Sequence, residues 1–82
     1  MNRVTVFFFA QARDLAGIEK AVFDLSPDAT TSLMMQLLVD RYPALRELKD
    51  HLRLAVNRSY ARGVAVLHDG DEVAVIPPVS GG

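Results

Sequence analysis

Residues 3–10, Arg-Val-Thr-Val-Phe-Phe-Phe-Ala, are rich in β-branched and aromatic side chains and predict a strand. Side chains alternate across a strand, so Val4, Val6 and Phe8 share one face while Thr5, Phe7 and Phe9 share the other. Both faces therefore carry large apolar groups. Such a strand needs cover on both sides, by a helix on one and by a neighbouring element or another protein on the other. A chain of 82 residues has few ways to supply that cover. It is one domain, and it buries only about 60–65% of the surface its unfolded chain exposes, so a deep enclosed active-site cavity is not expected.

Further along, the periodicity changes twice. Residues 11–17 break the alternation and read as a loop, with Gly17 placed to take a left-handed turn. Alternation resumes over Glu19–Leu25, with Ala21, Phe23 and Leu25 on one face and Lys20, Val22 and Asp24 on the other, and a first hairpin follows. Ser26-Pro27-Asp28 is a turn, and Thr30, Thr31 and Ser32 offer helix N-caps before Leu33–Tyr42. In that helix Leu33, Leu37 and Arg41 fall on one row and Met34, Leu38 and Tyr42 on the next, a wide apolar stripe that Pro43 ends. The methionines read as adaptable core packing. A short second helix is expected over Ala44–Asp50, a third strand over Leu52–Asn57 and a turn with a short strand within Tyr60–Leu67. Asp69-Gly70-Asp71 reads as a tight turn, and Glu72–Ile76 as a last strand with Val73 and Val75 inward.

Hairpin, helix across, then a last strand returning to the middle of the sheet is the ubiquitin-like β-grasp arrangement, an α+β fold with a mixed sheet of about five strands and one main helix. The expected organisation is a single domain, residues 1–82, with a flexible C-terminal tail over 77–82.

Composition excludes several kinds of chemistry. Nine Lys and Arg against ten Asp and Glu give a formal charge of −1, and the basic residues are scattered, so nucleic-acid binding gains no support. The apolar run near the start is too short to span a bilayer and lacks a signal-peptide cleavage site, which points to a cytoplasmic protein without membrane contact. There is no cysteine, hence no disulfide or thiolate metal site. His51 and His68 read as surface residues, because no other ligands stand at metal-binding spacing. Ser59 and Ser80 lack a base held beside them, and no glycine-rich phosphate loop occurs.

That leaves the tail. Ile76-Pro77-Pro78-Val79-Ser80 is apolar and proline-stiffened, and it runs into Gly81-Gly82. A glycine carbonyl has no side chain beside it, so it can thread a narrow cleft. The plain alternative is a frayed terminus. The six residues from Pro77 to Gly82 reach at most about 20 Å when extended. A carboxylate is a poor electrophile, whereas an acyl adenylate can be attacked by sulfur. With no nucleotide site in the chain, activation of Gly82 requires a second protein.

Three segments then resemble a known family. They are Phe8-Phe9-Ala10-Gln11-Ala12-Arg13-Asp14-Leu15-Ala16-Gly17, Leu54-Ala55-Val56-Asn57, and the stretch from Asp69-Gly70-Asp71 to Gly82. Together they are similar to the small, sulfur-carrying subunit of molybdopterin synthase. The resemblance implies a non-catalytic, sulfur-donating subunit in molybdenum cofactor biosynthesis. A ubiquitin-activating-type enzyme using ATP and Mg would adenylate Gly82, and a sulfurtransferase system would convert it to a thiocarboxylate. The large synthase subunit would take the tail and use its sulfur to build the dithiolene on cyclic pyranopterin monophosphate, in a heterotetramer. No cofactor is expected on this chain itself. By the same resemblance Gly82 bears the sulfur, Gly81 keeps the end slim, and Phe9, Arg13, Tyr60, Ile76, Pro77, Pro78, Val79 and Ser80 meet partners. For Phe9, Tyr60 and Ile76 the other reading is core, and for Arg13 a solvated charge. A carrier for thiamine or another metabolite, a ubiquitin-like modifier joined through Gly82, and a β-grasp binding module are the competing functions.

Overall fold

A computed structural model describes residues 1–61 and 63–78. Five strands form one mixed sheet: β1 (Asn2–Phe8), β2 (Lys20–Leu25), β3 (Arg53–Val56), β4 (Ser59–Tyr60) and β5 (Glu72–Ile76), in the spatial order β2-β1-β5-β3-β4. The last strand is central, as expected. It lies parallel to β1, with Val6 beside Val73 and Phe8 beside Val75, and antiparallel to β3, with Leu54 beside Val75. This is the β-grasp sheet.

Register fixes the two faces. Val4, Val6 and Phe8 share the inner face with Phe23 and Ala21 of β2, Val73 and Val75 of β5, and Leu54 of β3. Onto that face packs α2 (Thr31–Arg41), whose Met34, Leu38 and Val39 are buried in the same core. Thr30 caps it, its hydroxyl accepting the Leu33 N–H at 3.3 Å. Of the expected stripe, the Met34 row faces inward, whereas Leu33 is 37% exposed. Tyr42, just past the helix, meets Phe8 edge to face with centroids 5.2 Å apart. Pro43–His51 follows as a 3-10 helix with Leu45 buried, close to the short helix expected there.

One segment differs in kind from its expectation. Residues 11–17 are not a loop: Ala10–Ala16 form α1, which Gly17 ends in the left-handed conformation at φ 75°. Its N-cap is Phe9, which offers no side-chain acceptor, so no capping signal marks the start. Packing supplies the stability instead, with Ala12 buried and Leu15 and Ala16 against the core. Several boundaries also move. β1 ends at Phe8, so Phe9 and Ala10 of the expected first strand fall to the cap and first turn of α1. β2 starts at Lys20, α2 starts at Thr31, and β3 ends at Val56. Leu52 precedes β3 rather than opening it, and the short strand expected within Tyr60–Leu67 ends at Tyr60. Beyond it, among the described residues of this stretch, Val66 alone forms a bridge, to Thr30. That irregular stretch is tied down through Thr31, whose backbone N–H donates to Ala65 O at 2.8 Å and whose hydroxyl accepts from Ala65 N at 3.1 Å.

Candidate functional site

Among the described residues no helix covers the outer face of the sheet, and its side chains come from the alternate positions of the same strands. One row runs Lys20, Phe7, Ala74, Ala55, Tyr60 across all five strands. The next row holds Ile76 opposite Arg53, with Phe9 one step beyond the registered pair Phe8–Val75. Phe9 is held there by its backbone: its N–H reaches Val75 O at 3.4 Å, and its carbonyl accepts from Ala12 N and Arg13 N. Two alanines between bulky aromatics make a trough. A groove of about 300 Å³ results, lined by Phe7, Phe9, Ala55, Arg58, Glu72 and Ala74. Phe9 is 50% exposed and Tyr60 57%. Neither is core, whereas Ile76 is half-buried.

Beside this trough lies a second groove of about 440 Å³ at the root of the tail, lined in part by His51, Arg53, Tyr60, Ile76, Pro77 and Pro78. The Arg53 guanidinium sits 6.0 Å from the Tyr60 ring centroid, a cation–π contact that keeps the ring at the groove wall. Arg13 stands apart, beside Phe9 and Phe7 in another shallow depression, with its guanidinium 3.8 Å from Glu19. The structure thus gathers Tyr60, Ile76, Pro77 and Pro78 in one place, and Phe9 with Arg13 in another on the same face. Val79, Ser80, Gly81 and Gly82 lie outside the described residues.

What fixes the start of β5, at the end opposite Ile76, is a polar clamp. Asn57 Nδ2 donates to Asp71 Oδ1 at 2.9 Å, Glu72 N donates to Asn57 Oδ1 at 3.0 Å, and Asn57 N donates to Glu72 O at 2.8 Å. Asp71 Oδ2 also accepts from His68 N at 2.7 Å, and Asp69 Oδ1 accepts from Arg3 N. These bonds lock the turn before β5 to β1 and β3, so β5 enters the sheet in one register. Sequence reading saw Asp69-Gly70-Asp71 as a turn and missed Asn57 as its partner. The local pattern marks Asn57 only as a residue of the β3–β4 turn and carries no signal of its partner 14 residues on.

The geometry is that of a rigid β-grasp platform with an apolar outer face and a carboxyl-terminal strand at its centre. Residues 6–82 match the model of the ThiS family. The chain belongs to the ThiS family. This ThiS-family chain is 37% identical over 82 residues to the molybdopterin synthase sulfur carrier subunit of Chlamydomonas reinhardtii, an alignment covering 98% of this chain and 99% of that one. Of solved structures, it is similar to a putative molybdopterin converting factor, subunit 1, from Pyrococcus furiosus, at 30% identity and a TM-score of 0.86 over 96% of this chain and 100% of the other. It is equally similar to SAMP1, a small archaeal modifier protein from Haloferax volcanii, at 30% identity and a TM-score of 0.87 over 99% and 100% of the two chains. Among the described residues no helix is long and apolar enough to cross a membrane.

Proposed function

We propose that this ThiS-family chain is the sulfur carrier of a molybdopterin synthase. In this reading the Gly82 carboxylate is adenylated by a ubiquitin-activating-type enzyme that binds ATP and Mg, with release of pyrophosphate, and sulfide-level sulfur then displaces AMP. The resulting thiocarboxylate enters the large synthase subunit and passes its sulfur to cyclic pyranopterin monophosphate. The chain supplies no catalytic group of its own. Its part is to hold the tail at a fixed origin and to offer Phe9, Arg13, Tyr60 and Ile76 as the docking face, with Pro77, Pro78, Val79 and Ser80 spanning the gap and Gly81 fitting the cleft. The observation that carries this reading is the place of β5: a clamped, central strand whose last residue, Ile76, leads straight into the tail. Similarity to carrier subunits along nearly the full chain supports it.

The test is reconstitution. Untagged protein incubated with ATP, Mg, an activating enzyme and a sulfur donor is expected to become alkylatable at Gly82, and with no cysteine in the chain the alkylation is unambiguous. Adding the large subunit and the pterin is expected to yield the dithiolene, and deleting Gly82 to abolish it with the fold intact. The similarity to a small archaeal modifier protein favours a second reading, in which Gly82 is joined to lysine amines. Isopeptide-linked conjugates without an alkylatable tail would establish that reading in place of the first.

A further inference from the structure

The sheet has an open edge that matches itself. β2 pairs with β1 alone, and among the described residues nothing bonds to its far side. Which of its backbone groups are free follows from the ladder. Phe8 N donates to Glu19 O at 2.8 Å, and hydrogen-bonded pairs alternate along an antiparallel ladder, so Ala21, Phe23 and Leu25 turn their amides toward β1. Lys20, Val22 and Asp24 turn theirs outward. The side chains of these three residues also lie together on the outer face, where all three are exposed.

We infer that two copies of this chain associate through β2, antiparallel about a two-fold axis at Val22, to make one continuous sheet. An isologous contact sets each position i against j and j against i. With the axis at Val22, Val22 faces its counterpart and Lys20 faces Asp24 of the other copy, twice over. The free amides then fall in register, giving about six backbone hydrogen bonds. Neighbouring registers lose this match. Centring on Ala21 or Phe23 sets a charge against Val22, and centring on Lys20 or Asp24 sets like charges against each other, which is unfavourable across strands. Asp24 keeps an oxygen for the contact: Arg3 Nε holds Oδ1 at 3.0 Å, whereas Oδ2 has only a 3.5 Å approach from the same guanidinium. The pairing also covers Val22, which is 53% exposed. A six-residue edge is well below the area of a stable interface, so the dimer is transient, with Kd on the order of hundreds of micromolar. The outer-face trough and the root of the tail lie on β1, β5, β3 and β4, so the association leaves them open and does not depend on the sulfur-carrier reading.

The experiment uses the full chain by NMR and sedimentation from about 10 µM to about 1 mM. The Lys20, Val22 and Asp24 amides are expected to shift and gain exchange protection with concentration, while those of Ala21 and Phe23, already bonded to β1, keep theirs. Lys20→Asp alone and Asp24→Lys alone each put two like-charge pairs in the interface, and each is expected to weaken self-association by about tenfold or more. Mixed in equal amounts, the two variants face each other with opposite charges and are expected to recover it. This recovery separates pairing at the edge from simple loss of fold. No association at about 1 mM, association that maps to Phe7 and Tyr60, or failure of the mixture to recover would each overturn the inference.

Discussion

Replacing Asn57 by alanine attacks the clamp at the head of β5. The substitution removes two side-chain hydrogen bonds, to Asp71 and from Glu72 N, and it places alanine at φ 50°, a left-handed conformation that asparagine tolerates better. Both bonds are solvent-exposed, so together they are worth about 1 kcal/mol, toward the low end for such bonds. The backbone adds about 1 kcal/mol. The sum, about 2 kcal/mol, corresponds to a fall in Tm of roughly 8–16 °C in a domain of this size. The companion Asn57→Gly loses the bonds but relieves the backbone, and is expected to cost about half as much. Asn57→Asp keeps an acceptor for Glu72 N but brings a carboxylate against Asp71, and is expected to be at least as damaging as alanine at neutral pH. Urea unfolding followed by far-UV circular dichroism measures all three, since the chain has no tryptophan to report by fluorescence. Alanine and glycine variants both within about 0.5 kcal/mol of the parent would refute the clamp. A glycine variant as unstable as the alanine one would refute the backbone share.

Arg58 follows Asn57 in the same turn at φ 72°, so Arg58→Gly is expected to stabilise the domain by about 0.5–1 kcal/mol, read from the urea midpoint. A loss of stability there contradicts the strain. Asp24 titrates below the ordinary aspartate value of 3.8 because Arg3 hydrogen-bonds its carboxylate. The lowered folded value means its contribution is present above that pH and is lost as pH falls through the folded pKa. Parent and Asp24→Asn are therefore expected to differ in pH dependence only in the acid range below about pH 5, measured at low protein concentration. Phe9→Ala is expected to change stability by less than about 1 kcal/mol and to weaken binding of the large synthase subunit by about tenfold or more, by titration calorimetry. Unchanged binding removes Phe9 from the docking face.

Much of the fold was legible because burial on one side of a strand leaves a period of two. Val4, Val6 and Phe8, then Ala21 and Phe23, then Val73 and Val75 all face the core where alternation put them. The central place of β5 followed from the order of elements. The helix α1 was hidden for a physical reason: seven residues are too few to show a period, and a Phe at the N-cap gives no polar start signal. At the site, the aromatics were visible as residue types, but the trough between them was not. It arises from Ala55 and Ala74, whose small size matters only once register sets them side by side between Phe7 and Tyr60. Likewise Asn57 and Asp71 meet across 14 residues of sequence, a distance over which local pattern says nothing.

The strand order has a consequence for how the molecule comes into being. Take β5 away, and the sheet falls into two hairpins, β1 with β2 and β3 with β4, that share no ladder. A lone hairpin is marginal in water. The parallel pairing of β1 and β5 joins the two ends of the chain, so the loop it closes spans nearly the whole sequence and its entropy must be met before the sheet exists. On a ribosome, then, the sheet cannot be completed until residues 72–76 have emerged, and folding arrives late and all at once. Any truncation that removes β5 costs the platform together with the tail, so a damaged copy is a substrate for proteolysis rather than a competitor for partners.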